Sequence, residues 1–272
     1  MAHMTTRNSS RHGVWIIGVV MLAGVFSMAA QAADRPTAPS EEQRALHVLN
    51  RLAFGPRPGD VERVAKMGVD QYIKTQLDAA AIPLPQPLIA RLDSLDAEGD
   101  KAGDTLGDLL EARREAKADP ETGKQKQRQT VQRIAQQTAE ARIIRAIDSP
   151  RQLQEVMVDF WFNHFNVFAG KGLDRALVSS YERDAIRPHV FGSFRELLGA
   201  ATKHPAMLFY LDNWLSTSAE FRPKLSPGAA KNNAPRGLNE NHARELMELH
   251  TLGVDGGYTQ KDVTELARML TG

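Results

Sequence analysis

The stretch from Gly237 to Gly257 is the clearest helix signal in the chain and constrains the fold more than any other feature. Asn239 is placed to cap this helix, because its side-chain oxygen can accept a free backbone N–H of the first turn. Gly253 can adopt the positive φ with which many helices end. We therefore predict a helix from about Glu240 to Leu252.

Helix starts of a similar kind recur elsewhere in the sequence. Ser40 with Gln43, and Thr259 with Asp262, have the spacing of a capping box, in which two side chains and two backbone N–H groups bond reciprocally. No run of alternating apolar and polar residues is long enough to indicate a strand. The sequence therefore predicts an all-α fold, an irregular multi-helix bundle.

Acidic side chains gather on one face of the predicted helix 240–252. At about 100° per residue, Glu245 and Glu248 are neighbours on that face, and like charges at this spacing repel. A carboxylate neighbour raises the pKa of a carboxyl group, as a general base requires. Glu245 and Glu248 are therefore candidate catalytic residues. The other interpretation is a solvated acidic face on which Arg244 supplies one salt bridge.

Two histidines are candidate metal ligands. His242 precedes Glu245 by three residues and lies beside the acidic face, whereas His250 points roughly away from that face. His164 lies on another predicted helix that begins near Ser149. Imidazole and carboxylate are ligands of zinc, manganese and non-haem iron. We predict that His164, His242 and Glu245 bind a divalent metal ion of unknown identity, and no other cofactor site.

The helix that carries His164 has an aromatic, apolar stripe. At helical spacing, the residues on the same face as His164 are Leu153, Val156, Met157, Phe160, Trp161 and Phe168. A histidine buried in such a stripe needs partners for both ring nitrogens, or a ligand. His164 is therefore either a satisfied core histidine or part of the predicted metal site.

Residues 1–32 have the three parts of a secretory signal peptide. Arg7 and Arg11 make the first part basic, residues 14–26 are apolar, and a small-x-small sequence ends at Ala32. The apolar run is shorter than the ~20 residues that a membrane-spanning helix needs. We therefore expect cleavage near Ala32, a periplasmic or secreted protein, and no stable membrane anchor.

Charge and cysteine content exclude several classes of function. The chain has 34 Lys and Arg against 33 Asp and Glu, and the predicted leader removes two of the arginines. This balance gives no electrostatic reason to expect nucleic-acid binding. The absence of cysteine excludes disulfides, thiol chemistry and cysteine-held iron–sulfur clusters or haem. Residues 33–272 are predicted to form a single all-α domain with an ordinary apolar core.

Residues 97–137 differ in composition from the rest of the chain. They contain no aromatic residue and are dense in Glu, Asp, Lys, Arg and Gln. Acidic and basic residues are interspersed, which is typical of a solvated surface. We therefore predict a charged helical or disordered insertion, with polyanion binding as the other interpretation.

Five runs of the sequence carry a family resemblance. They are RLAFGPRPGDVERV, FWFNHFNV, YERDAIRPHVFGSFRELL, HPAMLFYLDN and GLNENHARELMELHTLGVDGGYTQKDVTELARMLTG. Over about residues 42–272, apart from the insertion, the chain resembles the bacterial exported domain-of-unknown-function family 1800. Members are longer, so the resemblance implies that this sequence is an amino-terminal portion, truncated at the C-terminus. Members are often encoded beside another exported family, which implies an exported partner.

Motifs of known chemistry are absent from the sequence. It contains no His-Glu-x-x-His, no Gly-x-Ser-x-Gly, no P-loop and no dinucleotide fingerprint. One hypothesis is therefore an uncharacterised exported helical protein that acts as an envelope scaffold or binds a partner protein. The alternative is a metal-dependent hydrolase or oxidase with a His/Glu site on the helix 240–252. The sequence leaves open whether the protein is an enzyme.

Overall fold

Helices joined by short loops make up the part of the chain that the structure describes. The computed structural model describes residues 38–95, 102–218 and 237–271, and the predicted leader, residues 1–32, lies outside them. Within these ranges every regular element is a helix, which confirms the all-α prediction. From Pro39 onward the described residues belong to one compact unit.

Twelve α-helices lie in the described ranges. In chain order they are α1 Glu41–Leu52, α2 Asp60–Met67, α3 Val69–Leu77, α4 Gln86–Asp93, α5 Ala102–Ala118, α6 Thr122–Asp148, α7 Gln152–His164, α8 Asp174–Ser180, α9 Phe194–Lys203, α10 Pro205–Tyr210, α11 Asn241–Met247 and α12 Gln260–Thr271. Two π-helical segments, Tyr181–Ile186 and Glu248–Leu252, directly follow α8 and α11. Single 3₁₀ turns lie at Ala79–Ala81, Arg187–His189 and Asn213–Leu215. None of the described helices has both the length and the apolar character needed to cross a membrane.

Both predicted capping boxes are present. The Gln43 N–H donates to Ser40 Oγ at 3.2 Å, and the Ser40 N–H donates to Gln43 Oε1 at 2.9 Å. Before α12, the Thr259 N–H donates to Asp262 Oδ2 at 2.7 Å, and the Asp262 N–H donates to Thr259 Oγ1 at 3.3 Å. These bonds satisfy backbone donors that the first helical turn leaves unpaired.

The largest apolar core lies between α7, α8 with its π segment, α9 and α10. Phe165 and Tyr181 are fully buried at its centre, and the Tyr181 hydroxyl donates to the Phe165 carbonyl at 2.9 Å. Ile186, Leu197 and Met207 belong to the same cluster. Burial of each such apolar side chain contributes about 1.5–3 kcal/mol relative to exposure.

Helix α7 buries only part of the apolar stripe predicted on it. Phe160 is 56 % exposed, and His164 is also exposed at the end of the helix. Leu153 is buried and Trp161 packs against the largest core, but the buried residues that α7 adds to that core, Val158 and Phe162, lie outside the predicted stripe. Both sides of α7 carry apolar residues, so hydrophobic periodicity alone does not choose between them.

Smaller apolar cores join the other helices. One lies among α1, α2 and α3, another between α4 and α6, and another between α11 and α12. Their buried residues include Leu49, Val64 and Tyr72 in the first, Leu88 and Ile144 in the second, and Ala243, Val263 and Ala267 in the third.

The described part of the predicted insertion 97–137 is helical. It forms α5 and most of α6, which pack against each other and bury Leu109 and Ile134. An exposed ion pair links Arg133 on α6 to Asp108 on α5 at 2.7 Å. Helix α6 continues past residue 137 without a break, so the change in composition does not mark a structural boundary.

A buried guanidinium ties α7 to the segment that follows α8. Nη1 of Arg187 donates to both carboxylate oxygens of Glu155 at 2.9 Å, and its Nη2 donates to Glu182 Oε1 at 2.9 Å. Burial opposes the charge of Arg187, but the two carboxylates outweigh burial and raise its pKa. Arg142 on α6 adds a second cation, 3.1 Å from Glu182 Oε2.

We expect Arg187→Met to lower the free energy of unfolding by about 3–5 kcal/mol at pH 7, because it leaves Glu155 buried without a cation and Glu182 with Arg142 alone. Urea unfolding followed by circular dichroism measures the change. The matched control is Arg268→Met, which removes an exposed pair with Glu265 and should cost less than about 1 kcal/mol. Equal, small losses in the two variants would contradict this role of Arg187.

Candidate functional site

The predicted helix 240–252 is present, but its last turn is π-helical. Asn239 Oδ1 accepts the N–H of Asn241 at 3.0 Å, as predicted for an N–H of the first turn, but α11 begins at Asn241 and the cap position is occupied by Glu240 instead of Asn239. The π pattern begins at Glu248, and the helix ends before Gly253, where φ is 84°. π turns are rare and are often found at functional sites. The predicted end at Gly253 is therefore confirmed, but the conformation of the last turn was not predicted.

The buried side of this helix holds two imidazoles. His242 is 0 % exposed and His250 is 7 % exposed, whereas the apolar Leu249 is 60 % exposed. A regular α-helix places His242 and His250 only about 80° apart, on the broad side that also holds the buried Ala243. The π segment changes the hydrogen-bond pattern of the last turn, since its hydrogen bonds span five residues instead of four.

His164 approaches the same helix from the end of α7. Its Nε2 lies 3.2 Å from the backbone carbonyl oxygen of His250, and the two ring centroids are 6.5 Å apart. A carbonyl can only accept a hydrogen bond, so Nε2 of His164 carries the proton. The structure thus brings His164, His242 and His250 together from two helices; we name them the histidine cluster.

The histidine cluster keeps His250 neutral. The pKa of the His250 imidazole is lowered to about 4, first by burial, which disfavours the charged form, and then by the like charges of His164 and His242. His250 was not one of the three predicted metal ligands. The signal for its burial was its position on the helix wheel next to Ala243, which is also buried.

His242 has an unusual environment for a buried histidine. Neither ring nitrogen makes a hydrogen bond with another described residue. Burial lowers the pKa of His242, and the backbone of Thr202 acts in the opposite direction, although its geometry does not complete a hydrogen bond to the ring. An unsatisfied buried polar group costs about 1–3 kcal/mol. His242 therefore has two nitrogen atoms that a ligand could use.

The two predicted catalytic carboxylates form a separate group. The pKa of Glu245 is raised, first by burial and then by the charge of Glu248, while Arg244 lowers it. Glu248 Oε2 accepts the Tyr258 hydroxyl at 3.4 Å. The pKa of Glu245 is thus raised, which is the direction that repulsion between the two carboxylates predicted. None of the histidines contributes to the shift.

The predicted metal ligands are only partly brought together. His164 and His242 belong to the histidine cluster, but Glu245 is grouped with Glu248 instead. Across the described ranges, no three His, Asp or Glu side chains are arranged so that they could hold a metal ion. The metal site at His164, His242 and Glu245 therefore stays a prediction, as does catalysis by Glu245 and Glu248.

Aromatic rings extend from the histidine cluster to the surface. The ring centroid of Phe165 lies 5.2 Å from that of His250 and 5.9 Å from that of Trp161. Trp161 in turn lies 5.0 Å from Phe160 and 5.8 Å from Phe194, which are 56 % and 44 % exposed. We name the surface end of this series the aromatic patch; it consists of Phe160, Trp161, His164 and Phe194.

We expect the protein to be less stable at pH 5 than at pH 7, because unfolding lets His250 take up a proton. The pKa of His250 is about 4 when folded and 6.5 in the reference state, so the folded form binds fewer protons between these values. The free energy of unfolding therefore falls as the pH drops through 6.5 toward 4. Between pH 7 and pH 5, His250 accounts for a loss of about 2 kcal/mol.

Urea unfolding of wild type and His250→Asn at both pH values measures this contribution. Between pH 7 and pH 5, the free energy of unfolding of the variant should fall by about 2 kcal/mol less than that of wild type. His47→Asn, which changes an exposed histidine on α1, should leave the pH dependence unchanged. If His250→Asn also left it unchanged, the imidazole would not be held neutral in the folded protein.

Comparison with known proteins gives a family but no activity. The model of a family described as "Protein of unknown function (DUF1800)" matches residues 47–272. No curated protein and no solved structure matches the chain. The match covers α2–α12, the histidine cluster and the aromatic patch, and agrees with the resemblance of the five sequence runs. The chain belongs to the DUF1800 family of proteins of unknown function.

Proposed function

We propose that the protein is an exported helical protein that binds another protein of the cell envelope, and that the aromatic patch is the binding surface. The observation that carries this proposal is the continuous series of ring contacts from buried Phe165 to exposed Phe160 and Phe194. Isolated exposed apolar residues are normal, whereas contiguous ones mark interaction sites. Aromatic side chains are also enriched where protein interfaces are fully buried.

The aromatic patch packs on a buried aromatic ring of the core. Trp161 stacks on Phe165 with an interplanar angle of 16°, and Phe165 is fully buried. A second stacked contact joins Phe165 to Phe194 at 6.1 Å. Rings that are held in place before binding lose little conformational entropy when a partner covers them. The patch therefore has the rigidity expected of a binding anchor.

The composition of the patch indicates the kind of partner. Phe160 and Phe194 are exposed aromatic residues around Trp161. We therefore expect the partner to present an apolar side chain to the patch, with a Lys or Arg nearby, because such cations interact favourably with aromatic faces.

The export part of the proposal is supported by the sequence of residues 1–32. Its basic start, apolar run and small-x-small ending at Ala32 fit a cleaved secretory leader. The proposed location of the mature protein is the periplasm or the medium. The absence of cysteine is compatible with this location, because the apolar cores supply the stability that disulfides give to smaller exported domains.

Photo-crosslinking tests the proposed surface. We expect benzoylphenylalanine at position 160, in the complete protein produced in its native host, to give a discrete adduct with an envelope protein. The matched control is position 54, because Phe54 is 53 % exposed but lies outside the patch. Phe160→Glu should reduce co-purification of the same partner by about tenfold or more, since loss of a central aromatic residue costs ~2 kcal/mol or more.

Either of two results would contradict the patch as the binding surface. One is that positions 160 and 54 give the same adducts, and the other is that Phe160→Glu retains the partner at the wild-type level. Circular dichroism of Phe160→Glu is the folding control, and the exposure of Phe160 predicts an unchanged spectrum.

A second candidate function is a metal-dependent hydrolase or oxidase that uses His164, His242 and Glu245. The observation that favours it is the fully buried His242, whose ring nitrogens have no partner among the described residues. Neutral imidazole is a ligand of zinc and iron. Binding would require Glu245 to move from its present group with Glu248 to the histidine cluster.

Metal titration distinguishes this candidate from partner binding. A functional site would bind one zinc, manganese or ferrous ion per chain and would raise the free energy of unfolding by about 2.7 kcal/mol at an ion concentration of 100 Kd. His242→Ala should abolish the gain, and Glu265→Gln, which changes an exposed carboxylate, should preserve it. No bound ion and no gain in stability would remove the metal hypothesis.

A further inference from the structure

A cavity of about 660 Å³ lies between α6 and the loop that follows α7. Val131, Ala135 and Ile143 line it from α6, and Val167 and Phe168 line it from the loop. The volume falls within the range of about 300–1,000 Å³ that is typical of small-molecule sites. This cavity shares no residue with the aromatic patch or the histidine cluster.

The loop wall of the cavity carries an exposed aromatic ring. The ring of Phe168 lies over Gly170, so a side chain at position 170 would displace it. Phe168 is 62 % exposed at the cavity. It therefore offers an apolar surface that the described chain leaves uncovered.

The charged residues of the cavity wall are all basic. Among the described residues that line it, Arg142 and Arg175 are charged and none is acidic. Arg142 lies 4.5 Å from the ring centroid of Phe162 and forms ion pairs with Glu182 and Asp159.

Arg175 has no acidic partner among the described residues. Its Nε and Nη2 donate to the backbone carbonyl of Gly170 at 3.3 and 3.2 Å, and within the described ranges it forms no ion pair. Nη1 is not used in these bonds. The exposed amide of Asn166 lines the same cavity. Arg175 and Asn166 therefore give the wall a polar, positively charged part.

We propose that this cavity binds a single-chain amphipathic anion. Its apolar chain would lie against α6 and Phe168, and its carboxylate or phosphate head would bind Arg175. A guanidinium group fits either head because its N–H donors can bond two oxygens of one anion. The proposal goes beyond partner binding, because it assigns a small ligand to a different part of the protein.

Four ligands with the same chain test the proposal: dodecanoate, dodecyl phosphate, dodecanol and dodecylammonium. Isothermal titration of the complete protein, with each ligand below its micelle-forming concentration, should show saturable binding of one molecule of either anion. The anions should bind about tenfold or more tightly than dodecylammonium, because hydrogen bonds to charged groups contribute about 1.5–3 kcal/mol.

Three variants locate the binding. Ala135→Trp fills the cavity from an exposed position and should weaken binding of both anions at least tenfold. Gln136→Trp is the matched control, because Gln136 is exposed on the same helix but lines a different hollow; it should leave affinity unchanged. Arg175→Gln should weaken binding of the anions about tenfold and leave that of dodecanol unchanged.

Any of three results would overturn the proposal. The first is no saturable binding of either monomeric anion, including binding only to vesicles of anionic lipid. The second is equal affinity for the anions and dodecylammonium. The third is wild-type affinity in Ala135→Trp, which would place any binding elsewhere on the protein. Circular dichroism of Ala135→Trp confirms that the comparison is between folded proteins.

Discussion

The pairing of Arg187 with Glu155 and Glu182 determines which side of α7 faces the core. Glu155 must point toward Arg187, because a buried carboxylate without a cation is strongly destabilising. Phe162 lies two helical turns further along the same side and therefore turns inward, whereas Phe160 turns to the surface. A single guanidinium group thus sets the position of the aromatic patch.

Helix α7 separates the two surfaces to which we assign binding. Phe160 belongs to the aromatic patch, and Phe162, two residues later, lines the cavity beneath Arg142. The histidine cluster lies at the end of the same helix, where His164 contacts the π turn at His250. The proposed protein binding at the patch and the proposed ligand binding in the cavity therefore both depend on the orientation of this one helix.

Local signals in the sequence predicted the local structure well. The capping boxes at Ser40 and Thr259 and the absence of strands need only neighbouring residues, and all three are observed in the described chain. The orientation of α7 could not be predicted, because both of its sides are apolar and the deciding partner, Arg187, lies 32 residues away. The π conformation of Glu248–Leu252 could not be predicted either, since a π turn has no clear sequence signature.

Cysteine reactivity tests the central claim, the orientation of α7, most directly, because the natural chain contains no cysteine. Phe160→Cys and Phe162→Cys each place one thiol on this helix, at positions where the native side chains are 56 % and 6 % exposed. Labelling of the folded proteins with a maleimide, relative to the urea-unfolded chains, measures the protection of each thiol. The account predicts rapid labelling at position 160 and strong protection at position 162. Protection at 160 with rapid labelling at 162 would contradict it.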